Sequence, residues 1–140
     1  MLVLAACASP TDVPTPAPSS TAPPTQIQVE LDIFSGRPNP QWTLSPDDER
    51  RLLDELANLP EITAESMDSP LGYRGFILHV PGDDGVATYR IWQTIANRED
   101  PGGQLSAYQD EARTLEKWLL TTGQPYLEDG LYETVMEEIG

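Results

Sequence analysis

The sequence predicts an α+β domain: a small antiparallel sheet of three to four strands with about three helices, in the order β-turn-(β)-α-β-β-α-α. Three observations predict it. Ile27, Val29, Leu31 and Ile33 alternate with Gln28, Glu30 and Asp32, the period of a half-buried strand. Two apolar runs flank Pro81-Gly82-Asp83-Asp84-Gly85, a hairpin signature. Two further stretches carry apolar residues at helical spacing, with helix start and stop signals around them.

Taken in order, the first strand covers Ile27–Phe34 and runs into Ser35-Gly36-Arg37-Pro38-Asn39-Pro40. Gly36 is expected to take a positive φ, which costs glycine nothing. Arg37 and Asn39 each precede a proline and are pushed towards extended geometry, while Pro38 and Pro40 fix their own φ. The loop therefore loses little entropy when ordered. Gln41–Leu44 reads as a short second strand. Ser45-Pro46-Asp47-Asp48 opens a helix: a capping serine, proline at the first helical position and acids in the first turn. Leu52, Leu53, Leu56 and Leu59 give its apolar face, and Pro60 ends it.

Glu61–Pro70 reads as irregular. Arg74–Val80 and Val86–Gln93 form the hairpin, and both of its faces are partly apolar, which suits the middle of a sheet or a partial cover on its second side. Asn97–Gly103 reads as a polar loop. A helix is expected from about Ser106 to Thr122, with Tyr108, Ala112, Leu115, Trp118 and Leu119 as its stripe and Gly123 as its stop. Leu127, Leu131, Val135 and Ile139 suggest a last short helix.

The N-terminus is organised differently. Leu4-Ala5-Ala6-Cys7 resembles the lipobox of bacterial lipoproteins, and the resemblance implies acylation of Cys7 after cleavage behind Ala6. Residues 1–6 would be the remnant of a signal peptide. They hold no Lys or Arg and are shorter than a signal peptide requires, so the start codon is expected upstream or the chain truncated. Residues 8–25 contain six prolines, four threonines and three serines and no aromatic residue. Such a composition cannot bury enough apolar surface to fold, and with Cys7 it reads as a disordered tether of at most about 55 Å at ~3.1 Å per residue. The implied location is the cell envelope, with the domain exported and attached to the membrane through lipid on Cys7. The stretch Phe34-Ser35-Gly36-Arg37-Pro38-Asn39-Pro40 further resembles a turn in small uncharacterised domains of bacterial lipoproteins, to which no activity attaches.

Residues 26–140 hold 22 of the 23 acidic residues and all eight basic ones, a net charge of −14. A surface so acidic has no basic stripe with which to neutralise phosphates, so nucleic acid is not an expected partner. One cysteine and one histidine, His79, leave no disulfide and no Cys- or His-pair metal site. The sequence contains no Gly-x-Ser-x-Gly, P-loop or Gly-x-Gly-x-x-Gly. No catalytic residue, metal ligand or cofactor is assigned.

The candidate binding residues are Ser35, Arg37, Asn39, Trp42, Tyr73 and Arg74, on the turn and at the opening of the hairpin. Asp32, Arg37, Arg74, Asp110 and Arg113 form a candidate structural ion network, since few cations face many acids. Three functions are open to such a chain. It binds an envelope protein or a small ligand through the 34–42 turn; or it inhibits proteases with Arg37 as bait; or it is an envelope hydrolase working through carboxylates.

Overall fold

The computed structural model describes residues 26–63 and 72–140. Cys7, the segment 8–25 and most of the irregular stretch expected over Glu61–Pro70 lie outside the described residues.

The expected sheet of three to four strands is overturned by a seven-stranded antiparallel sheet among the described residues, although the α+β class is similar. The strands are β1 (Gln28–Leu31), β2 (Gln41–Thr43), β3 (Glu61–Ile62), β4 (Phe76–Gly82), β5 (Gly85–Trp92), β6 (Ile95–Glu99) and β7 (Leu105–Gln109), in the spatial order β2-β1-β4-β5-β6-β7-β3. The helices are α1 (Pro46–Ala57), α2 (Thr114–Gly123) and α3 (Leu131–Ile139), with a 3₁₀ turn over Gln124–Tyr126.

The additional strands arise where the sequence read as loop and helix. Trp92 turns back onto Ile95 through a two-residue bend in which Gln93 takes φ 59°, a left-handed conformation without the glycine that would announce it. That bend starts β6 at Ile95, and the strand runs on into the expected polar loop. Residues 105–109 pair along β6 as β7 instead of beginning a helix, so Tyr108 belongs to the sheet and Ala112 to an exposed turn. Helix α2 starts only at Thr114. The edge strand β3 is two residues long and pairs Glu61 with Tyr108 and Ile62 with Ala107.

Register explains the layering. Leu31, Phe76, Ile91, Ala96 and Tyr108 stand in one row across the sheet, and Trp42, Val29, Leu78 and Tyr89 in the next, all on one face. Leu52 and Leu56 of α1, Leu115, Leu119 and Leu120 of α2 and Val135 and Ile139 of α3 join that face in a single core. The central hairpin β4–β5 occupies the third and fourth places of the sheet, in keeping with its two partly apolar faces. Ser45 caps α1 by accepting from the Asp48 N–H at 3.2 Å, as the sequence predicts. Leu53, expected on the buried face of α1, is instead 47% exposed. Among the described residues no helix is long and apolar enough to cross a membrane.

Candidate functional site at the 34–42 turn

The turn is fastened at its base. Asn39 Oδ1 accepts from the backbone N–H groups of Ile33 (3.0 Å) and Phe34 (2.8 Å), and its Nδ2 donates to Glu30 Oε1 (2.8 Å) and Asp32 Oδ1 (3.3 Å). One carboxamide thus satisfies two donors in the chain leaving β1 and ties two acids together. Pro40 closes the base, its carbonyl accepting from the Leu31 N–H at 3.0 Å.

Asp32 is the centre of this base. Its side chain is only 9% exposed and accepts from Arg74 Nη2 and Arg90 Nη1, each at 2.8 Å. Arg74 Nη2 also donates to the Phe34 carbonyl at 3.1 Å. Burial pushes the Asp32 carboxyl up, but hydrogen bonds from Arg74 and Arg90 and their charges outweigh it, leaving the group below its ordinary value. The same hydrogen bond holds Arg74 more firmly protonated. Main-chain bonds from Asp32 N–H to the Gly75 carbonyl (2.9 Å) and from Arg74 N–H to the Asp32 carbonyl (2.8 Å) extend the β1–β4 pairing past the end of both strands.

Gly75 makes that extension possible. It takes φ +92°, and a Cβ there would stand 2.1 Å from the Ile91 carbonyl oxygen and 2.7 Å from Trp92 Cβ. Gly36 is different: its φ is not positive and a Cβ would meet nothing within 4 Å. The expected positive φ at Gly36 is therefore corrected. The two prolines and Asn39 shape the turn without it.

The tip, Phe34–Pro38, projects from this base. Ser35, Gly36, Arg37 and Pro38 are exposed. The Arg37 guanidinium lies 3.8 Å from the Phe34 ring centre and pairs with Glu128 through Nη1 to Oε1 at 2.9 Å and Nη2 to Oε2 at 3.3 Å. Both side chains are open to solvent, 53% and 63% exposed. Arg37 thus points outward and does not reach Asp32.

The expected ion network divides into separate parts. Asp32 and Arg74 pair as anticipated, with Arg90 as an additional partner; Arg37 goes to Glu128. Asp110 caps α2, accepting from the Leu115 N–H at 2.8 Å. Arg113 donates to the fully buried Glu116 at 2.6 Å through Nε and 3.1 Å through Nη2. Tyr73, one of the candidate binding residues, donates its hydroxyl to the same Glu116. Burial, reinforced by the Glu116 charge, raises the Tyr73 phenol far above its usual range. Trp42 is also internal: it is buried, its Nε1 donates to Thr122 Oγ1 at 2.9 Å, and it meets Phe76 edge-on with ring centres 6.4 Å apart.

The six candidate binding residues therefore serve in three places. Ser35 and Arg37 form the exposed tip, Asn39 and Arg74 its locked base, and Trp42 and Tyr73 belong to the core layer. Sequence reasoning missed Glu30, Arg90, Glu116 and Glu128, whose roles depend on contacts across strands and helices. Comparisons with known protein families, curated proteins and solved structures find nothing that matches this chain.

Proposed function

We propose that this chain is an exported, lipid-anchored module of the cell envelope that binds a protein partner through the tip Phe34–Pro38. The observation that carries the reading is the contrast within the turn. An exposed tip presenting Ser35 and Arg37 stands on a base whose polar groups are bonded inward. Such a tip loses little freedom on binding. The exposed Arg37–Glu128 pair is worth little to the fold, so a partner carboxylate can replace Glu128 at small cost. The Leu4-Ala5-Ala6-Cys7 run and the proline-rich segment behind it support attachment through Cys7.

Two arms test this. Detergent partitioning of the full precursor against Cys7→Ser reads lipidation; if both forms stay in the aqueous phase, the anchor reading fails. Capture from envelope extracts with the wild-type chain, Arg37→Glu and Arg50→Glu reads the tip. A partner lost with Arg37→Glu and kept with Arg50→Glu, an exposed arginine on α1, supports the proposal. Equal capture by all three overturns it.

The inhibitor reading draws on the same exposed Arg37. The guanidinium rests on Phe34 and Glu128, so a protease pocket would have to draw it away from both. Inhibition of trypsin by the full chain would favour the inhibitor reading.

A further inference from the structure

A second surface lies at the far end of the central hairpin. A groove of about 360 Å³ runs between α1, the β4–β5 turn and the loop that follows β6. Leu53, Val80, Pro81, Ala87, Tyr89 and Pro101 line it. Arg98 stands over the Tyr89 ring at 5.8 Å, and the exposed Asp83 and Asp84 also line the groove. Leu53 is the singular feature. It sits on α1 one position from the core residue Leu52, yet half of it faces this groove and solvent.

We infer that this groove is a docking site for the chain's own proline-rich segment, residues 8–25. The first argument is where that segment begins. The Ile27 N–H donates to Glu49 Oε2 on α1 at 2.7 Å, and Glu49 lies one helical turn before Leu53. Gln28 pairs with His79, so the antiparallel register carries Ile27 and Gln26 towards Val80 and Pro81. The described chain thus begins beside the groove's own lining residues. A short linker sets an effective concentration on the order of millimolar, which half fills even a site of millimolar affinity.

The second argument is chemistry. Prolines at 14, 16 and 18 and at 23 and 24 favour an extended polyproline conformation. Extended proline-rich chains seat on grooves lined by aromatic and apolar side chains, and their stiffness reduces the ordering cost. Asp83 and Asp84 in the lining discourage acidic segments, whereas residues 8–25 contain a single charge, Asp12. The inference is independent of lipid on Cys7. If Cys7 is anchored, docking shortens the reach of the domain from its anchor.

The test uses ¹⁵N-labelled full chain, a variant with all six prolines of residues 8–25 changed to serine, and Leu53→Asp alone and combined with those changes. Docking is expected to appear as amide shifts at Leu53, Ala87, Tyr89 and Arg98 between the wild type and the serine variant, with the 34–38 tip and α3 unmoved. In the Leu53→Asp background the same serine changes should leave those groove amides where they were. Groove amides that superimpose in the first comparison overturn the inference. So does a difference that grows with protein concentration, because the occupant is then the segment of a second copy.

Discussion

The tip and the base of the 34–42 turn use the same chemistry to opposite ends. In the base, Asp32 is nearly inaccessible and meets Arg74 and Arg90 at 2.8 Å each. At the tip, Arg37 and Glu128 meet at 2.9 Å with more than half of each side chain in water. Distance alone would rank these pairs together. Burial of the carboxylate separates them: an exposed pair is screened and loses side-chain entropy on forming, whereas the nearly inaccessible Asp32 carboxylate depends on the hydrogen bonds that the arginines give it. The lesson is that the conspicuous arginine of the turn is not the one that holds it.

The largest expected break in that comparison is at a glycine. Gly75→Ala sets a methyl against the Ile91 carbonyl at φ +92°, which combines left-handed strain with overpacking and should cost more than about 3 kcal/mol. Gly36→Ala, with open space around it and no positive φ, should stay within about 0.5 kcal/mol. Denaturant melts of the two variants measure the difference. Equal losses would mean that tip and base are held alike.

Asp32→Ala comes next, at about 2–3 kcal/mol, because it removes the charge-assisted hydrogen bonds from Arg74 and Arg90. The carboxylate also gives a pH signature. Its folded-state pKa lies below the ordinary 3.8, so the unfolded chain takes up the proton first. The stabilisation is therefore complete above about pH 4 and is lost as pH falls from there through the folded value. Wild-type stability should drop more steeply than that of Asp32→Ala across this acid window. Parallel profiles would show that the pair contributes nothing through charge.

How much of this was legible in the sequence follows from the range of the contacts involved. The alternation of Val29 and Leu31, the Ser45 cap and the central hairpin are local signals, and each appears in the structure. β6 was hidden because Gln93 makes its turn without glycine. β7 was hidden because Tyr108 happens to fall in phase with the apolar stripe of α2. Within the site, Arg37 and Asn39 were visible through the prolines around them. Arg90 was not, since it occupies an ordinary polar position in β5, and only the register across β4 places it beside the end of β1. Glu116 lies between apolar positions of α2 with no sequence signal of its role, although α2 buries it completely against Arg113 and Tyr73.

Asn39→Ala sharpens the comparison between the two proline-flanked residues. It leaves the Ile33 and Phe34 N–H groups without their acceptor and removes the link between Glu30 and Asp32. A loss of about 2 kcal/mol is expected for part-buried groups left unpaired. Hydrogen exchange should quicken at Ile33 and Phe34 while the β4–β5 amides stay protected. Exchange unchanged at those two amides would mean that the prolines alone fix the turn.

Arg37→Ala should have the smallest effect on stability and the largest on partner capture. Its bond to Glu128 is exposed and therefore worth under about 0.5 kcal/mol, and the stacking on Phe34 adds an exposed cation–π contact of about 0.5–1 kcal/mol at most. The melt should therefore move by less than about 1 kcal/mol. Glu128→Ala makes the decisive companion. It frees Arg37 from its carboxylate and leaves the Phe34 stacking in place, so a partner that binds by replacing Glu128 should be captured more tightly by Glu128→Ala and lost with Arg37→Ala. If both variants melt like the wild type and capture equally well, the tip is an ordinary connection and recognition lies elsewhere on the molecule.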